Sequence, residues 1–531
     1  MCKGGFRQSS AKNSLFFNSR SSYRPLFLTC LHSPTILNSR IFMHIHPLDL
    51  AIVIAYLLGV TALGLHFRRN QHNATDYFLG GRTAPWWALA LSIVATETST
   101  LTIIGVPAIA YSGNLTFLQW IFGYLAGRVL ISLILLPGYF RGEYLTAYAL
   151  IEKRFGQRMR SISALTFLVT RTLAEGVRVS AIALVVSAAL GTSERLAVFI
   201  VIALTVFYTF EGGMKAVIWT DVAQFCLYLA GSIVTLFFLL HRIPGGWLEV
   251  TQVAAASGNK LQLFDFSLSL ATKYTFWSGL IGGAFLTMAS HGTDQTIVQR
   301  LLAARSQKDS SRALIASGFI VLVQFTVFLM IGILLFVFAR HIPLLSAGEP
   351  TDRILPNFLV REMPTGLAGL LLAAIIAVAM SNASGALNSL AASSVLDFSI
   401  LRGKNSQSAN DPAMLLRLSR RITLVWGAAL VVFGLVHWGP VLEAGLTVAS
   451  LPWGSLLGLF LLGTFDSRSN ANGSLVGMFA GLTSVLLVFR FTSLAFTWFV
   501  LVGACVTFAV GAIVSRVWPE PSAVTPHSKN N

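Results

Sequence analysis

Charged residues are scarce in this chain, and acidic residues are scarcer than basic ones. Asp, Glu, Lys and Arg make up 11% of the 531 residues, whereas 55% are hydrophobic, and the mean hydropathy is +0.71. Soluble globular proteins carry about 25% charged residues. The composition therefore excludes a soluble fold and predicts an integral membrane protein.

Several sequence signatures of chemistry are missing as well. The chain has no GxxxxGK[ST] loop that would cradle the phosphates of ATP and no HExxH zinc motif, so we expect no cofactor and an energy source other than ATP. Four cysteines are too few for a disulfide framework. The net charge of +17 indicates membrane topology and contact with the lipid bilayer, and we expect no nucleic-acid partner.

Long apolar runs recur along the chain. Each has about 20 residues, which is enough for a helix to cross a hydrocarbon core of about 30 Å, and membrane β-strands are much shorter. The sequence therefore predicts an all-α, polytopic membrane protein with about thirteen transmembrane helices. The expected spans are 48–66, 84–112, 115–140, 160–190, 195–210, 216–240, 275–290, 313–339, 365–397, 420–436, 440–464, 473–489 and 493–514.

The distribution of Lys and Arg predicts the orientation. If residue 66 is cytoplasmic, the inside loops and tail hold 21 Lys and Arg and the outside loops hold 8, which places the N-terminus outside and the C-terminus in the cytoplasm. Residues 1–42 lack Asp and Glu and are similar to a transit peptide. Alternatively they lie upstream of a start at Met43. We expect a disordered or spurious tail over 1–42, a transmembrane domain over 43–516 and a disordered tail over 517–531.

Two polar stretches interrupt the apolar spans. In "SIVATETSTLTIIGVPA", Ser92–Ala108, an acidic residue lies among threonines. This pattern predicts either a broken helix whose free carbonyls can bind Na⁺ or an ordinary kink at Pro107. In "AIIAVAMSNASGALNSLAASSVLDF", Ala374–Phe398, small residues predict a central, closely packed helix. Ser381 and Asn382 offer hard oxygen ligands there, although serine also commonly bonds back to its own i−4 carbonyl.

A third stretch, "EGGMKAVIWTDVAQ", Glu211–Gln224, predicts a tight Gly-Gly turn on the cytoplasmic side. Asp221 follows about one turn inside the membrane boundary. It is interpreted either as an acid at a helix start or as a ligand on the cation exit path.

Four motifs together resemble the sodium:solute symporter family over about residues 46–515. They are "DYFLGGRTAPWWALALSIVATETST", "EGGMKAVIWTDVAQ", "DQTIVQRLLAARS" and "MSNASGALNSLAASSVLDF". The resemblance implies a leucine-transporter-type fold with two inverted five-helix repeats, at about 84–241 and 275–464. The first helix of each repeat is then expected to be discontinuous.

The resemblance also implies a Na⁺ site between the first helix break and the third helix of the second repeat. Its ligands would be the carbonyls of Ala95 and Thr98, the carbonyl near Val378 and the side-chain oxygens of Ser381 and Asn382. Many relatives have serine or threonine in place of Asn382. The hydroxyls of the neighbouring Thr96 and Ser384 could relay or substitute.

Glu97 lies between the two carbonyl donors of the first repeat, where relatives vary between amide and acid. We interpret it as holding Na⁺ or a cationic group of the substrate. The alternative is a buried ion pair with Arg171, which has Glu175 and Arg178 at helical spacing to form a network of its own.

Residues that would contact the solute are less distinctive. Thr287 and Ser290 stand where sugar-transporting relatives carry asparagine and a gating tyrosine, which disfavours a hexose. "GVPAIAY" is more similar to the branch that handles organic anions and vitamins, and Arg128 or Arg171 could counter a carboxylate.

The sequence therefore predicts a transporter rather than an enzyme. We expect Na⁺-coupled import of a small organic solute, such as an organic acid, an amino acid or a vitamin-like anion, by alternating access across the plasma (inner) membrane. Two alternatives stay open: a solute-gated channel or sensor on the same scaffold, and a sugar-transporting member. The oligomeric state does not follow from the sequence.

Overall fold

Helices account for most of the structure. The computed structural model describes residues 46–66, 74–142, 144–190, 192–398, 412–436 and 441–519. The tail expected at 1–42 and all but the first residues of the tail expected at 517–531 lie outside these ranges. The helices are α1 (Pro47–His66), α2 (Ala74–Leu79), α3 (Trp86–Glu97), α4 (Thr100–Ser112), α5 (Leu118–Ile134), α6 (Leu136–Phe140), α7 (Tyr148–Leu190), α8 (Glu194–Arg242), α9 (Gly246–Ala256), α10 (Gly283–Gly292), α11 (Gln295–Leu302), α12 (Gln307–Phe338), α13 (Ile354–Arg361), α14 (Leu367–Leu396), α15 (Pro412–Gly434), α16 (Val441–Phe465), α17 (Ala471–Phe491) and α18 (Phe499–Val517).

Each predicted membrane span overlaps at least one of these helices. Within the described ranges, six helices are long and apolar enough to cross a membrane singly, and α3 with α4 adds a seventh span that is bent by 68°. Two predicted spans fall in α8, whose backbone breaks at Gly213 with φ 55° and ψ −156°. A turn is therefore present where the sequence predicts one, and the positive φ of Gly213 is a conformation that favours glycine. Its location on the cytoplasmic side stays a prediction.

The break between α3 and α4 lies at Thr98 and Ser99. Both residues have extended backbones, with ψ values of 116° and 165°. Ser99 Oγ accepts from the backbone N–H of Thr102, and Thr102 Oγ1 accepts from the backbone N–H of Ser99, both at 3.2 Å. This reciprocal cap restarts the helix. A kink at Pro107 does not explain the break, because Pro107 lies within α4.

A second break separates α10 from α11. Asp294 has an extended backbone, with φ −76° and ψ 123°, and its Oδ1 accepts from the backbone N–H of Thr296 at 2.8 Å. This carboxylate caps α11 as Ser99 caps α4. The opening helix of each repeat is therefore discontinuous, as expected.

Helix α14 occupies the centre of the bundle. Its residues from Leu371 to Leu396 are all buried, whereas outer helices expose large apolar side chains such as Leu133 and Phe479. A Cβ added at Gly385 would lie 2.8 Å from Nη2 of Arg300. The small residues of α14 thus admit a bulky cationic side chain from α11, as the composition of this stretch predicts.

Candidate functional site

The first helix break and α14 meet through Asn382. Nδ2 of Asn382 donates to the carbonyl oxygens of Thr98, at 2.7 Å, and Val378, at 2.9 Å. Ala95 is fully buried in the last turn of α3, three residues before Thr98. The structure therefore brings carbonyls from the break and from α14 to one amide. Their role as Na⁺ ligands stays a prediction.

Polar side chains of two further helices hold Thr98. Its Oγ1 donates to the carbonyl of Val94 at 2.8 Å and accepts from Nε2 of Gln324 at 2.8 Å and from the hydroxyl of Tyr228 at 3.3 Å. Neither partner was predicted from the sequence. The signal was available for Gln324, since it is an amide inside the apolar run of α12.

Ser381 belongs to a buried charged cluster centred on Asp221. The Asp221 carboxylate accepts from the hydroxyls of Ser381, at 2.7 Å, and Ser92, at 2.5 Å, and forms an ion pair with Arg300 at 2.8 Å. Both members of the ion pair are fully buried. Arg300 also donates through Nε to Ser92 Oγ at 2.8 Å. Neither Arg300 nor Ser92 was predicted from the sequence as a site residue.

For Asp221 and Ser381, one of the two interpretations that the sequence left open is wrong. Asp221 is not at a helix start, because the break in α8 lies at Gly213, about two turns earlier. Ser381 bonds across to another helix rather than back along its own, whereas Ser384 does bond back, to the carbonyl of Ser381 at 2.9 Å. The role of Asp221 in cation exit stays a prediction.

Glu97 lies at the end of α3 and forms an ion pair with Arg128 of α5. Nε2 of His291, near the end of α10, lies 3.4 Å from Glu97 Oε2 and 3.3 Å from Nη2 of Arg128. Nδ1 of His291 contacts Ser290 Oγ at 2.9 Å. We call Glu97, Arg128 and His291 the charged triad. It joins the two helix breaks.

The alternative pairing of Glu97 with Arg171 is wrong. Arg171 instead lies 3.3 Å from Glu175, and Arg178 contacts the same carboxylate at 3.3 Å. The separate network expected along α7 is therefore present. It reaches the first break through Arg178, whose Nη1 donates to Oδ1 of Asn382 at 3.3 Å.

The remaining residues singled out by sequence have varied surroundings. Thr96 Oγ1 donates to its own i−4 carbonyl, that of Ser92, at 2.8 Å. Thr287 is buried where α10 packs against Gly127 of α5, and its hydroxyl has no hydrogen-bond partner among the described residues. Ser290 contacts the triad through His291. Their roles in solute binding or coupling stay predictions.

The sequence matches the model of a known protein family. A model of the sodium:solute symporter family matches residues 77–481. The chain belongs to this family. Its members share Na⁺-coupled solute transport, and the all-α polytopic architecture follows from the same assignment.

Relatives within the sodium:solute symporter family match nearly the whole chain. The sodium/sialic acid symporter NanT of Aliivibrio fischeri is 30% identical over 476 residues, which cover 89% of this chain and 93% of that protein. The human sodium/iodide cotransporter is 31% identical over 457 residues, covering 83% and 69% respectively. A solved Na⁺-coupled sialic acid symporter, substrate-bound and outward-open, is similar with a TM-score of 0.82 at 28% identity and covers 89% of this chain and 98% of its own.

These likenesses establish the leucine-transporter-type fold with its inverted repeats. The protein is an integral membrane transporter that couples Na⁺ to solute import. The family and these relatives are transporters, not enzymes.

Proposed function

We propose that this symporter imports a small anionic solute bearing a carboxylate, such as an organic acid, an amino acid or a vitamin-like anion, and binds it at the charged triad. The observation that carries the proposal is a buried, fully enclosed guanidinium with one nitrogen atom unpaired. Nε of Arg128 donates to Ser317 at 3.1 Å and Nη2 contacts Glu97 and His291, but Nη1 has no partner within the described ranges.

A buried donor of a charged group that lacks an acceptor costs about 1–3 kcal/mol or more. A carboxylate oxygen supplied by the solute would recover this free energy, since guanidinium binds carboxylates in a planar fork. Glu97 has a side chain that is 12% exposed, against 0% for Arg128. We infer that Glu97 balances Arg128 when no solute is bound and holds a cationic group, such as an amine, when the solute has one.

Arg171 is the weaker candidate for the anion site. Its Nε also lacks a hydrogen-bond partner among the described residues. Its ionic partner, however, lies one turn along the same helix, whereas the partners of Arg128 lie at both helix breaks. The two relatives are named for sialic acid and iodide, so both carry anions, which supports a cationic residue at the solute site.

For the coupling ion we propose the site formed by the carbonyls of Ala95, Thr98 and Val378 with the side chains of Ser381 and Asn382. The carbonyl oxygens of Thr98 and Val378 both lie within 2.9 Å of one atom, Nδ2 of Asn382, and this convergence of oxygens supports the site. Asp221 is then placed on the exit path, because it bonds directly to Ser381. Thr96, Thr287 and Ser290 are assigned to coupling and solute contact.

Alternating access follows if Na⁺ binds more tightly to the outward-open state that accepts solute. One Na⁺ moving down about 150 mV releases roughly 3.5 kcal/mol, which supports a solute gradient of a few hundred-fold. We propose that the transport domain spans 43–516, with the N-terminus outside and the C-terminus in the cytoplasm, in the plasma membrane.

Uptake into proteoliposomes tests the proposal. The panel consists of monocarboxylates, amino acids, carboxylate vitamins, sialic acid, glucose and iodide, each with and without an inward Na⁺ gradient. Accumulation of a carboxylate that collapses without Na⁺ supports it. Flux only down the solute gradient supports the channel alternative. Accumulation of glucose or iodide alone refutes the proposal that the solute bears a carboxylate.

Arg128→Gln tests the position of the solute site. We expect the KM for the accumulated carboxylate to rise about tenfold or more, since a charge-assisted hydrogen bond contributes roughly 1.5–3 kcal/mol. Arg128→Gln alone leaves the Glu97 carboxylate without its ion-pair partner, which can destabilise the fold. The double variant Glu97→Gln, Arg128→Gln also removes that charge and therefore controls for misfolding. Arg242→Gln is the matched control, because its side chain is 43% exposed. An unchanged KM in folded Arg128→Gln would place the solute elsewhere.

A further inference from the structure

The partners of Asn382 fix the orientation of its side-chain amide. Nδ2 donates to two carbonyl oxygens, of Thr98 and Val378, and Oδ1 accepts from Arg178. Carbonyl oxygens only accept and a guanidinium only donates. A turned amide would therefore lose all three contacts. Because Asn382 is 2% exposed, bulk water does not replace them.

The two N–H groups of this amide point at two of the carbonyls that we assign to Na⁺. Hard cations are bound by oxygen atoms, including amide oxygens, and not by an amide nitrogen. Each carbonyl oxygen has two lone pairs, but an ion that bridged these two oxygens would lie against Nδ2 of Asn382, whose positive N–H groups repel a cation. The present amide orientation and Na⁺ binding therefore exclude each other.

We propose that the carboxamide of Asn382 takes the place of Na⁺ between the first helix break and α14 when the ion is absent, and that Arg178 sets Na⁺ affinity by holding it there. The inference rests on the Na⁺ site of the proposed function. It makes Asn382 an affinity-determining residue for the ion and Arg178 a positioning residue that acts through it.

The structure gives the amide room to turn. A small cavity on this side is lined by Ser99, Thr100, Glu175, Arg178 and Asn382, among others. Rotation of the asparagine side chain about χ2, the Cβ–Cγ bond, is broad and roughly two-fold, so half a turn would direct Oδ1 at the ion. Nδ2 would then face Nη1 of Arg178, donor to donor.

Arg178 therefore opposes the ion-binding orientation. Its other contact, with Glu175 at 3.3 Å, persists after the turn, but the bond to Asn382 is lost. Hydrogen bonds to charged groups shift an equilibrium by about tenfold or more. The variant Asn382→Ser has no amide to turn and no N–H groups that donate to the two carbonyls, so Na⁺ should bind to it about tenfold more tightly.

Thermal stability of the purified full chain, titrated with NaCl against choline chloride, tests this inference without any solute. We expect Asn382→Ser to lower the Na⁺ concentration for half-maximal stabilisation about tenfold, equivalent to about 1.4 kcal/mol. The same variant should melt at a lower temperature without Na⁺, because the bridging amide is gone.

Arg178→Gln should also lower the half-maximal Na⁺ concentration and should have no further effect in the Asn382→Ser background, since it acts through the amide. A merely structural role would change melting temperatures without this dependence. Asn388→Ser is the matched control, because Asn388 is a buried asparagine of α14 that bonds to Gln299. We expect its half-maximal Na⁺ concentration to equal that of the wild type.

The outcomes separate the two proposals. A Na⁺ response with the same midpoint in the wild type and Asn382→Ser overturns the inference about Asn382 and leaves the Na⁺ site standing. Additive effects of Arg178→Gln and Asn382→Ser overturn the positioning role of Arg178. Absence of any Na⁺ response, in the wild type and in all variants, refutes the Na⁺ site and the inference with it.

Discussion

Replacing Arg300 by methionine tests how strongly one buried ion pair stabilises the transporter. Arg300 lies 2.8 Å from the Asp221 carboxylate, and neither side chain is exposed. Its Nε donates to Ser92 at 2.8 Å and its Nη1 to the carbonyl of Thr296 at 2.8 Å. Methionine keeps the apolar stem but leaves the carboxylate with two serine hydroxyls as its partners.

The expected cost is large because a charge stays buried without a counterion. Removing one member of a buried pair costs about 3–5 kcal/mol. Adding Asp221→Asn removes that charge while an amide can still bond to the serines, so we expect the double variant to recover about 2 kcal/mol or more. The exposed pair of Arg242 with Glu362, at 2.9 Å, gives the comparison, and Arg242→Met should cost about 1 kcal/mol or less.

Denaturant unfolding in detergent micelles, followed by tryptophan fluorescence, measures these free energies. The reasoning fails if Arg300→Met costs no more than Arg242→Met. It fails equally if Asp221→Asn and Arg300→Met add without coupling, because the two groups would then not depend on each other.

The same unfolding assay checks two further substitutions. Gly385→Ala places a Cβ 2.8 Å from Nη2 of Arg300 and should cost about 1–3 kcal/mol of stability through overpacking. The control Gly59→Ala, whose Cβ would have nothing within 4 Å, should cost almost nothing. Equal costs for the two variants would contradict the packing argument. Lys260→Met removes two bonds to main-chain carbonyls at the C-terminal end of α4, at 2.8 and 2.9 Å. We expect the free energy of unfolding to fall by about 2 kcal/mol. The control Lys308→Met, at an exposed lysine, should cause no measurable loss. A Lys260→Met variant as stable as the wild type would refute a stabilising role for these two hydrogen bonds.

Much of the fold could be predicted because its signals are local. An apolar run long enough to cross the bilayer is visible in any short window of sequence, and the cost of exposing polar backbone to lipid makes a helix of each one. The interruption of the first opening helix was visible for the same reason, as one of two alternatives, whereas the break in the second repeat was expected only from the family resemblance. Thr98 and Ser99, and likewise Asp294, carry short polar side chains that can cap a helix where the ladder stops.

The candidate site was predicted in part. Polar residues in membrane helices were singled out because burying them in hydrocarbon is costly, and the structure buries Asp221, Ser381 and Asn382. Their partners were harder to assign, because electrostatic attraction requires a group of opposite charge but does not specify which residue carries it. Arg128 and Arg171 were both possible cationic partners of Glu97, and neither lies at helical spacing from it in the sequence.

What the sequence by itself determined is the class of protein, the helical nature of its apolar runs and the interruption near residue 98, all of which depend on the chemistry of neighbouring residues. What only the tertiary structure decided is which polar group meets which. Arg128 is 31 residues from Glu97, Arg300 is 79 from Asp221, and Asn382 is 284 from Thr98. Such pairs form only when packing brings distant helices together, because buried charges and amides bond to whichever complementary group the fold places within about 3 Å.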